Sequence, residues 1–119
     1  MQSSIRELKP PMPGSSRDGT DSLTLAVTEA GELAGACLVF LDAERHLIRA
    51  LAVAVDWKRH GVGRQLVQYE LDRAVPGVPV VARIDERNTA SIHLFSSLGF
   101  ERLGRHDPEP SLTLWVREA

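Results

Sequence analysis

The sequence has little cysteine, no long apolar run and no clustering of its histidines. Cys37 is the only cysteine in 119 residues, so no internal disulfide framework can form, which is typical of a reducing compartment. No apolar segment approaches the length of a membrane span, and Met1-Gln2-Ser3-Ser4 does not begin a signal peptide. The four histidines are scattered without metal-ligand spacing. We therefore expect a cytoplasmic protein with no metal site and no membrane partner.

An excess of positive charge is also lacking, since 14 Lys and Arg residues stand against 16 Asp and Glu residues and the formal net charge is −2. Basic residues are not interleaved with aromatic ones either, and both features argue against a nucleic-acid-binding domain. Hydrophobic residues make up 43% of a chain long enough for one core, which indicates one globular domain.

Residues 1–21 differ in composition from the rest of the chain, because proline, glycine and serine crowd together and no repeating apolar face runs through them. This N-terminal segment is expected to be either a short strand at Ser4–Leu8 followed by a linker, or a disordered tail. The domain is expected to cover residues 22–119. Within it, Leu23–Thr28 and Leu33–Leu41 are predicted to form a β-hairpin.

The apolar run Leu47–Val55 alternates too little for a half-solvated strand, and it predicts a central strand covered on both faces. Ile48 and the three alanines at positions 50, 52 and 54 are expected to share one face of this strand. Their small bulk allows close approach of either a helix or a ligand, and we favour a helix.

A basic glycine turn follows this strand and reads Lys58-Arg59-His60-Gly61-Val62-Gly63-Arg64, with a helix predicted from Val62 to Ala74. Glycines let the backbone approach a ligand closely, and the first N–H groups of a helix point at the same place, so the turn predicts a phosphate site. The turn is not a Walker loop, which ends in Gly-Lys-Ser/Thr. It is not a dinucleotide fingerprint either, because Leu66 stands in the place of the third glycine.

A second patterned segment covers residues 88–100 and reads Asn-Thr-Ala-Ser-Ile-His-Leu-Phe-Ser-Ser-Leu-Gly-Phe. Asn88 is expected to cap a helix, Gly99 to end it in the left-handed conformation, and Phe100 to touch Phe95. The two segments lie about 30 residues apart, as strand-helix-strand-helix units require.

Three further strands complete the predicted sheet. Val80–Ile84 is expected to run parallel to Leu47–Val55, and Phe100–Arg105 is expected to pair with Leu112–Arg117 around the turn His106–Pro110. The predicted fold class is α/β with a mixed, mostly antiparallel sheet.

Together the two segments resemble the motifs of the GCN5-related N-acetyltransferase (GNAT) superfamily. The turn Lys58–Gly63 is similar to the R/Q-x-x-G-x-G/A pyrophosphate loop of that superfamily, with Lys at the first position. Residues 88–100 are similar to its N-x-x-A-x-x-L-Y-x-x-L-G-F segment. The resemblance implies a GNAT-like fold with two main helices, in which the central parallel pair of strands is splayed for acetyl-CoA.

By this resemblance acetyl-CoA is the acyl donor and two groups of residues hold it. Leu51, Ala52 and Val53 would hold the pantetheine arm and the acetyl carbonyl, and Asn88 would also contact the pantetheine. The residues that would cradle the pyrophosphate are Arg59, His60, Gly61, Val62, Gly63 and Arg64.

The catalytic residues stay unassigned, because the sequence departs from the superfamily at both usual proton-transfer positions. Phe95 stands where a tyrosine often protonates the departing thiolate, and Arg83 stands where some members carry a general-base glutamate. Asp85 and Glu86 follow the second parallel strand, within reach of an amine acceptor.

Two other titratable residues have structural interpretations. Glu70 falls within the apolar arc of its helix, and we expect its carboxylate to reach solvent past the edge of that helix. Cys37 lies in an apolar strand and is expected to be a buried, inert thiol.

Two functions from different classes fit the sequence. The first is an acetyl-CoA-dependent N-acetyltransferase acting on a primary amine of a small molecule or peptide. The second is a non-catalytic acetyl-CoA-binding module that regulates a partner protein. Members of the superfamily usually begin with a strand and two helices that wall the acceptor site, and only about 20 residues stand there in this chain. We therefore expect a homodimer or a partner protein to cover the apolar surface left open.

Overall fold

A computed structural model of the protein describes residues 3–8, 19–105 and 111–118. In this part of the chain, seven strands form one sheet, accompanied by two α-helices and a short 3-10 helix at Val55–Trp57. The strands are β1 (Ser3–Leu8), β2 (Gly19–Thr28), β3 (Leu33–Asp42), β4 (His46–Val53), β5 (Val80–Asp85), β6 (Glu101–Arg105) and β7 (Leu112–Arg117). The helices are α1 (Val62–Asp72) and α2 (Thr89–Ser97). Neither helix is long and apolar enough to cross a membrane, a finding that covers the described residues.

The sheet runs in the order β1-β2-β3-β4-β5-β7-β6. Among its described strand pairs, β4 with β5 is parallel and the others are antiparallel, which confirms the predicted mixed, mostly antiparallel α/β fold. The parallel ladder is short: it begins where His46 faces Val80 and ends where Ile48 faces Ala82. Beyond that point β4 and β5 diverge, as predicted for the central pair.

Most predicted elements are present with small shifts of their ends. The hairpin of β2 and β3 is confirmed, although β2 begins earlier, at Gly19. A strand is present at Ser3–Leu8 and pairs with β2, as one of the two interpretations of the N-terminal segment required. The turn predicted at His106–Pro110 lies outside the described residues. The division of the chain at residue 22 stays a prediction.

The central strand departs from the prediction at its end and on one face. It stops at Val53 instead of Val55, because the chain turns there into the 3-10 helix, which leaves Val55 80% exposed. The strand is also not covered on both faces, since Ala50 and Ala52 are exposed.

A register shift in β4 explains why the predicted face of this strand was wrong. Ala50 pairs with Leu38 and Ile48 pairs with Val39, so Arg49 is an extra residue between them. A bulge of this kind interrupts the alternation of side chains. Ile48 therefore lies in the core while Ala50 turns to the other face, and the small residue there lies beside open space instead of a helix.

Both helices pack on the same face of the sheet. Val62 and Leu66 of α1 and Phe95 of α2 join one buried cluster with Ile48 of β4 and Ala82 of β5. The cluster contains fourteen described residues, of which Val62, Leu66 and Val67 lie on α1 and Phe95 lies on α2. The helices therefore hold the diverging ends of β4 and β5 from one side.

Local capping fixes the ends of α2 as the sequence predicted. The side-chain oxygen Oδ1 of Asn88 accepts from the Ser91 backbone N–H at 3.1 Å, and Gly99 has a φ of +92° just past the helix. The rings of Phe95 and Phe100 meet edge to face with centroids 5.0 Å apart. These contacts fix the helix start beside the diverging strands.

Candidate functional site

The divergence of β4 and β5 opens a cleft of about 170 Å³ at the centre of the sheet. Beyond Ile48 the inner edge of β4 has no strand partner among the described residues, although its outer edge stays paired to β3 as far as Val53. The cleft is lined by Ile48, Ala50, Leu51, Arg83, Ile84, Asp85, Asn88, Ser91 and Phe95. Its wall therefore includes backbone donors and acceptors that an extended ligand can pair with.

The cleft has two chemically different sides. On the helix side, Leu51, Ile84 and Phe95 present apolar groups, and Ile84 and Phe95 are almost fully buried. On the opposite side, Arg83 and Asp85 alternate with the buried residues of β5 and are only partly buried. An apolar arm fits the first side and a charged or polar molecule fits the second.

The glycine loop begins directly after the 3-10 helix and leads into α1. Arg59 and Gly61 both adopt left-handed backbone conformations, with φ of +69° and +79°. The first helical hydrogen bond runs from the Gln65 N–H to the Gly61 carbonyl at 2.9 Å, so the amides of residues 62–64 precede it and have no acceptor within the helix. Successive amides of this kind form an anion-binding concavity.

The two glycines of the loop have different roles. A Cβ added to Gly61 would meet no atom within 4 Å, so the space above this residue is open. A Cβ added to Gly63 would lie 3.1 Å from Leu94 Cδ2 and 3.6 Å from Val53 Cγ2. The missing side chain of Gly63 therefore lets α1 pack against α2 and β4, and the approach of a ligand to its backbone stays a prediction.

The remaining predicted loop residues divide into exposed and buried side chains. Arg59 and His60 are exposed, and the His60 ring lies against the Trp57 ring with centroids 5.3 Å apart. Arg64 is exposed and donates to Ser97 Oγ at 2.8 Å, which links α1 to the end of α2. Val62 is buried, so its side chain belongs to the core and not to the surface of the loop.

The predicted pantetheine residues lie along the open edge of β4. Leu51 lines the cleft, Ala52 is exposed and Val53 is partly buried, while Asn88 lines the cleft from the start of α2. Leu51 also borders the loop, since a Cβ on Gly63 would lie 3.8 Å from its Cδ2 atom. The fold thus brings Leu51 and Asn88 to the cleft, whereas Gly61 and Arg64 line a second hollow along α1.

Sequence reasoning missed several residues of the cleft, namely Ile48, Ala50, Ile84 and Ser91. The position of Ala50 depends on the bulge at Arg49, which no alternation pattern reveals. Ser91 was open to prediction, because it follows the expected cap Asn88 by three residues and so lies in the first turn of the same helix.

Asp85 is the carboxylate that borders the cleft, and Arg87 holds it firmly. Arg87 donates its backbone N–H and its Nε to Asp85 Oδ1 at 2.8 and 3.0 Å, and its NH2 to Oδ2 at 2.9 Å. These bonds, the side-chain ones first, lower the pKa of Asp85 to about 2. Asp85 is therefore ionised at neutral pH and too weak a base to take a proton from an ammonium group.

Glu70 lies in the core, so the expectation that it reaches solvent was wrong. Its carboxylate is fully buried and accepts from His46 Nε2 at 2.8 Å, Arg73 Nε at 2.8 Å and Thr24 Oγ1 at 3.1 Å. Arg73 also donates to Ser22 Oγ at 3.2 Å. Partners from β2 and β4 make burial of the charge tolerable, and those partners are remote in sequence.

Cys37 is buried, as predicted, and lies near this polar group. Burial first, and the negative charge of Glu70 second, raise the pKa of the Cys37 thiol to about 12, while the positive charge of Arg73 acts in the opposite direction. A thiol with such a pKa is not a nucleophile at neutral pH. No cluster of His, Cys, Asp and Glu that could hold a metal ion is present within residues 3–8, 19–105 and 111–118.

Comparison with known proteins gives the same fold. The sequence profile described as "Acetyltransferase (GNAT) family" matches residues 4–100. A putative acyl-CoA N-acyltransferase from Klebsiella pneumoniae is similar over 98% of this chain and 97% of its own, at 12% identity and a TM-score of 0.76.

Two longer structures are similar as well. A nourseothricin acetyltransferase superposes with a TM-score of 0.67 at 22% identity, over 86% of this chain and 66% of its own. A putative streptothricin acetyltransferase from Bacillus anthracis, in complex with acetyl coenzyme A, gives a TM-score of 0.66 at 14% identity over 83% and 62%. The chain thus spans less than two thirds of these two proteins.

Proposed function

The chain belongs to the acetyltransferase (GNAT) family, and from this premise we propose that it is an N-acetyltransferase that uses acetyl-CoA as its acyl donor. The acceptor is a primary amine of a small molecule or peptide. The divergence of β4 from β5 beyond Ile48 carries this proposal, because it opens a cleft beside an unpaired strand edge. The glycine loop, which suits a pyrophosphate, follows at the end of that strand.

The residues of the site fit acetyl-CoA in three ways. The inner edge of β4 at Leu51, Ala52 and Val53 offers backbone groups to the pantetheine amides. The open space above Gly61 admits a pyrophosphate close to the helix amides, and basic side chains surround it. Asn88 borders the cleft on the pantetheine side. The loop residues that take part are Arg59, His60, Gly61, Val62, Gly63 and Arg64.

The transfer step needs little acid or base chemistry from the protein. An acceptor that has lost its ammonium proton to water attacks the thioester carbonyl, so a C–N bond forms and the C–S bond breaks. The nitrogen then loses a second proton and the departing thiolate gains one from water. Thioesters are already activated, and orientation of the two reactants together with oriented donors supplies much of the acceleration.

The second candidate function is a non-catalytic module that binds acetyl-CoA in the same cleft and regulates a partner protein. Two observations favour it. Phe95 borders the cleft without a proton to donate, and Asp85, the lining carboxylate, is held ionised by Arg87. A homodimer or a partner protein on the apolar surface, and a cytoplasmic location, belong to the proposal in either form.

Two measurements on the purified chain test the proposal. Calorimetry with acetyl-CoA should show binding, and acetyl-CoA should raise the melting temperature, because a ligand that binds only the native state stabilises it. Release of free thiol is then followed with a panel of small amines, polyamines and peptide N-termini. Absence of heat and of any melting shift at millimolar acetyl-CoA would refute the proposal. Binding without thiol release on the whole panel would favour the regulatory module.

A further inference from the structure

Arg83 lies on the face of β5 that is turned away from the helices, the side that a donor bound as proposed would leave free. In β5, Val80, Ala82 and Ile84 are buried toward the helices, while Val81, Arg83 and Asp85 alternate with them and face the other side. The glycine loop and Asn88 belong to the helical elements. A donor held there reaches the cleft from the helix side, so the acceptor approaches on the side of Arg83 and Asp85.

The two charged residues that line the cleft, Arg83 and Asp85, differ in the hydrogen bonds that they can offer to an acceptor. Both carboxylate oxygens of Asp85 already accept from Arg87. Arg83 carries five N–H donors in a planar fork whose shape matches carboxylate and phosphate groups. Since Arg83 lines the cleft, this fork can reach the oxygens of an anionic ligand there.

The surroundings of Arg83 strengthen binding of an anion. Leu114 is its cross-strand neighbour on β7, Val81 precedes it on the same face, and all three side chains are partly buried. A charge-assisted hydrogen bond beside apolar groups is screened less than one in open water, and a guanidinium matches carboxylate or phosphate oxygens in a bidentate arrangement.

We propose that the acceptor is a small amine that carries a carboxylate or phosphate group, and that Arg83 binds this group and thereby determines specificity. The cleft of about 170 Å³ suits a small molecule. This inference rests on the proposed function, since it names the acceptor class of the same site. The inference also gives Arg83 a role at a strand position where some family members carry a general base. By binding the anion of the acceptor, Arg83 would orient its amine toward the thioester carbonyl.

The test compares matched acceptors that differ in the anion. Glycine is paired with glycinamide, β-alanine with its amide, and phosphoethanolamine with ethanolamine, and kcat/KM is measured for each with wild type, Arg83→Gln, Arg83→Lys and Arg102→Gln. The two members of a pair differ in amine basicity, but that difference cancels when their ratio is compared between variants. Arg102 is an exposed arginine on β6 and serves as the control for loss of a positive charge.

We expect Arg83→Gln to lower the ratio of anionic to neutral acceptor about 10- to 100-fold, because one charge-assisted interaction is lost. The loss should appear in KM for the acceptor, with KM for acetyl-CoA unchanged. Arg83→Lys should recover part of the ratio and Arg102→Gln should keep it. A change of the ratio in the glycine or β-alanine pair would indicate a carboxylate, and a change in the phosphoethanolamine pair would indicate a phosphate. A ratio that Arg83→Gln leaves within about twofold of wild type for all pairs would overturn the inference.

A binding measurement covers a protein that does not turn over. Calorimetry with CoA-saturated wild type should show binding of the anionic member of at least one pair and weaker binding of its neutral partner. With CoA-saturated Arg83→Gln, the two members of that pair should bind equally. Equal affinity for both members in every pair would overturn the inference while the proposed function stands. If acetyl-CoA itself does not bind, the proposed function fails first, and the same titrations without CoA then decide whether Arg83 selects anions.

Discussion

Glu70 of α1 and His46 of β4 lie 2.8 Å apart, from Oε1 to Nε2, and both side chains are buried. His46 is also the residue that faces Val80 at the closed end of the parallel pair. The contact therefore fastens α1 to the sheet where β4 and β5 are joined, while the glycine loop lies at the other end of the same helix. With Arg73 and Thr24 it fixes the end of the helix that is opposite the glycine loop.

The first prediction concerns the stability of this buried network. Glu70→Ala should lower the free energy of unfolding by about 3–5 kcal/mol, because it leaves the buried groups of His46, Thr24 and Arg73 without their acceptor. Glu70→Gln, which keeps an acceptor oxygen and the volume, should cost less. Urea unfolding of the three proteins measures this. A loss below about 1 kcal/mol for the alanine variant would show that the network does not hold α1 in place.

The second prediction separates the ligand role of Gly61 from its conformation. Gly61→Ala should weaken acetyl-CoA binding at least tenfold, because a methyl group enters open space in the loop, and left-handed strain should lower stability by about 1–2 kcal/mol. Gly77→Ala is the matched control, since Gly77 has a φ of +86° and equally open space but lies in another turn. It should lose the same stability and keep the affinity for acetyl-CoA. Equal affinities of the two variants for acetyl-CoA would show that Gly61 does not contribute to the binding site.

The third prediction concerns the missing acid. Phe95→Tyr should speed thiol release by about 10²-fold or more if departure of the thiolate limits turnover, because the new phenol would supply the proton. Phe95 packs on Phe100 and also borders the cleft, so the new hydroxyl of Phe95→Tyr would lie either in the core or in the cleft. The free energy of unfolding of the variant distinguishes these two positions. A buried hydroxyl without a partner would cost about 1–3 kcal/mol. A variant of native stability whose rate is unchanged or lower would contradict the account of Phe95 as a missing acid.

The fourth prediction follows from the pKa of the Cys37 thiol, which burial raises to about 12 from an ordinary value of 9.0. The folded protein holds this proton more tightly than the unfolded chain does. The contribution of Cys37 to stability is therefore complete below pH 9 and is lost as pH rises toward 12. The difference in unfolding free energy between wild type and Cys37→Ala should fall over this interval. Parallel pH profiles for the two proteins would contradict the prediction.

Local signals in the sequence determined much of the fold. The side chain of Asn88 caps α2, Gly99 ends it, and β7 covers Leu112–Arg117 as predicted, because capping, backbone freedom and alternation depend on residues a few positions apart. The glycine loop was located for the same reason. These signals fixed the order of the elements and the position of the loop between a strand and a helix.

The tertiary structure alone decided which side chains meet across elements. The bulge at Arg49 arises from pairing with β3, and it turns Ala50 to the open face. Gly63 packs against Leu94, and Glu70 finds its partners on β2 and β4. A helical or alternating pattern gives the direction of a side chain relative to its own element, whereas the register of a strand and the partner of a buried charge are set by residues far away in the chain.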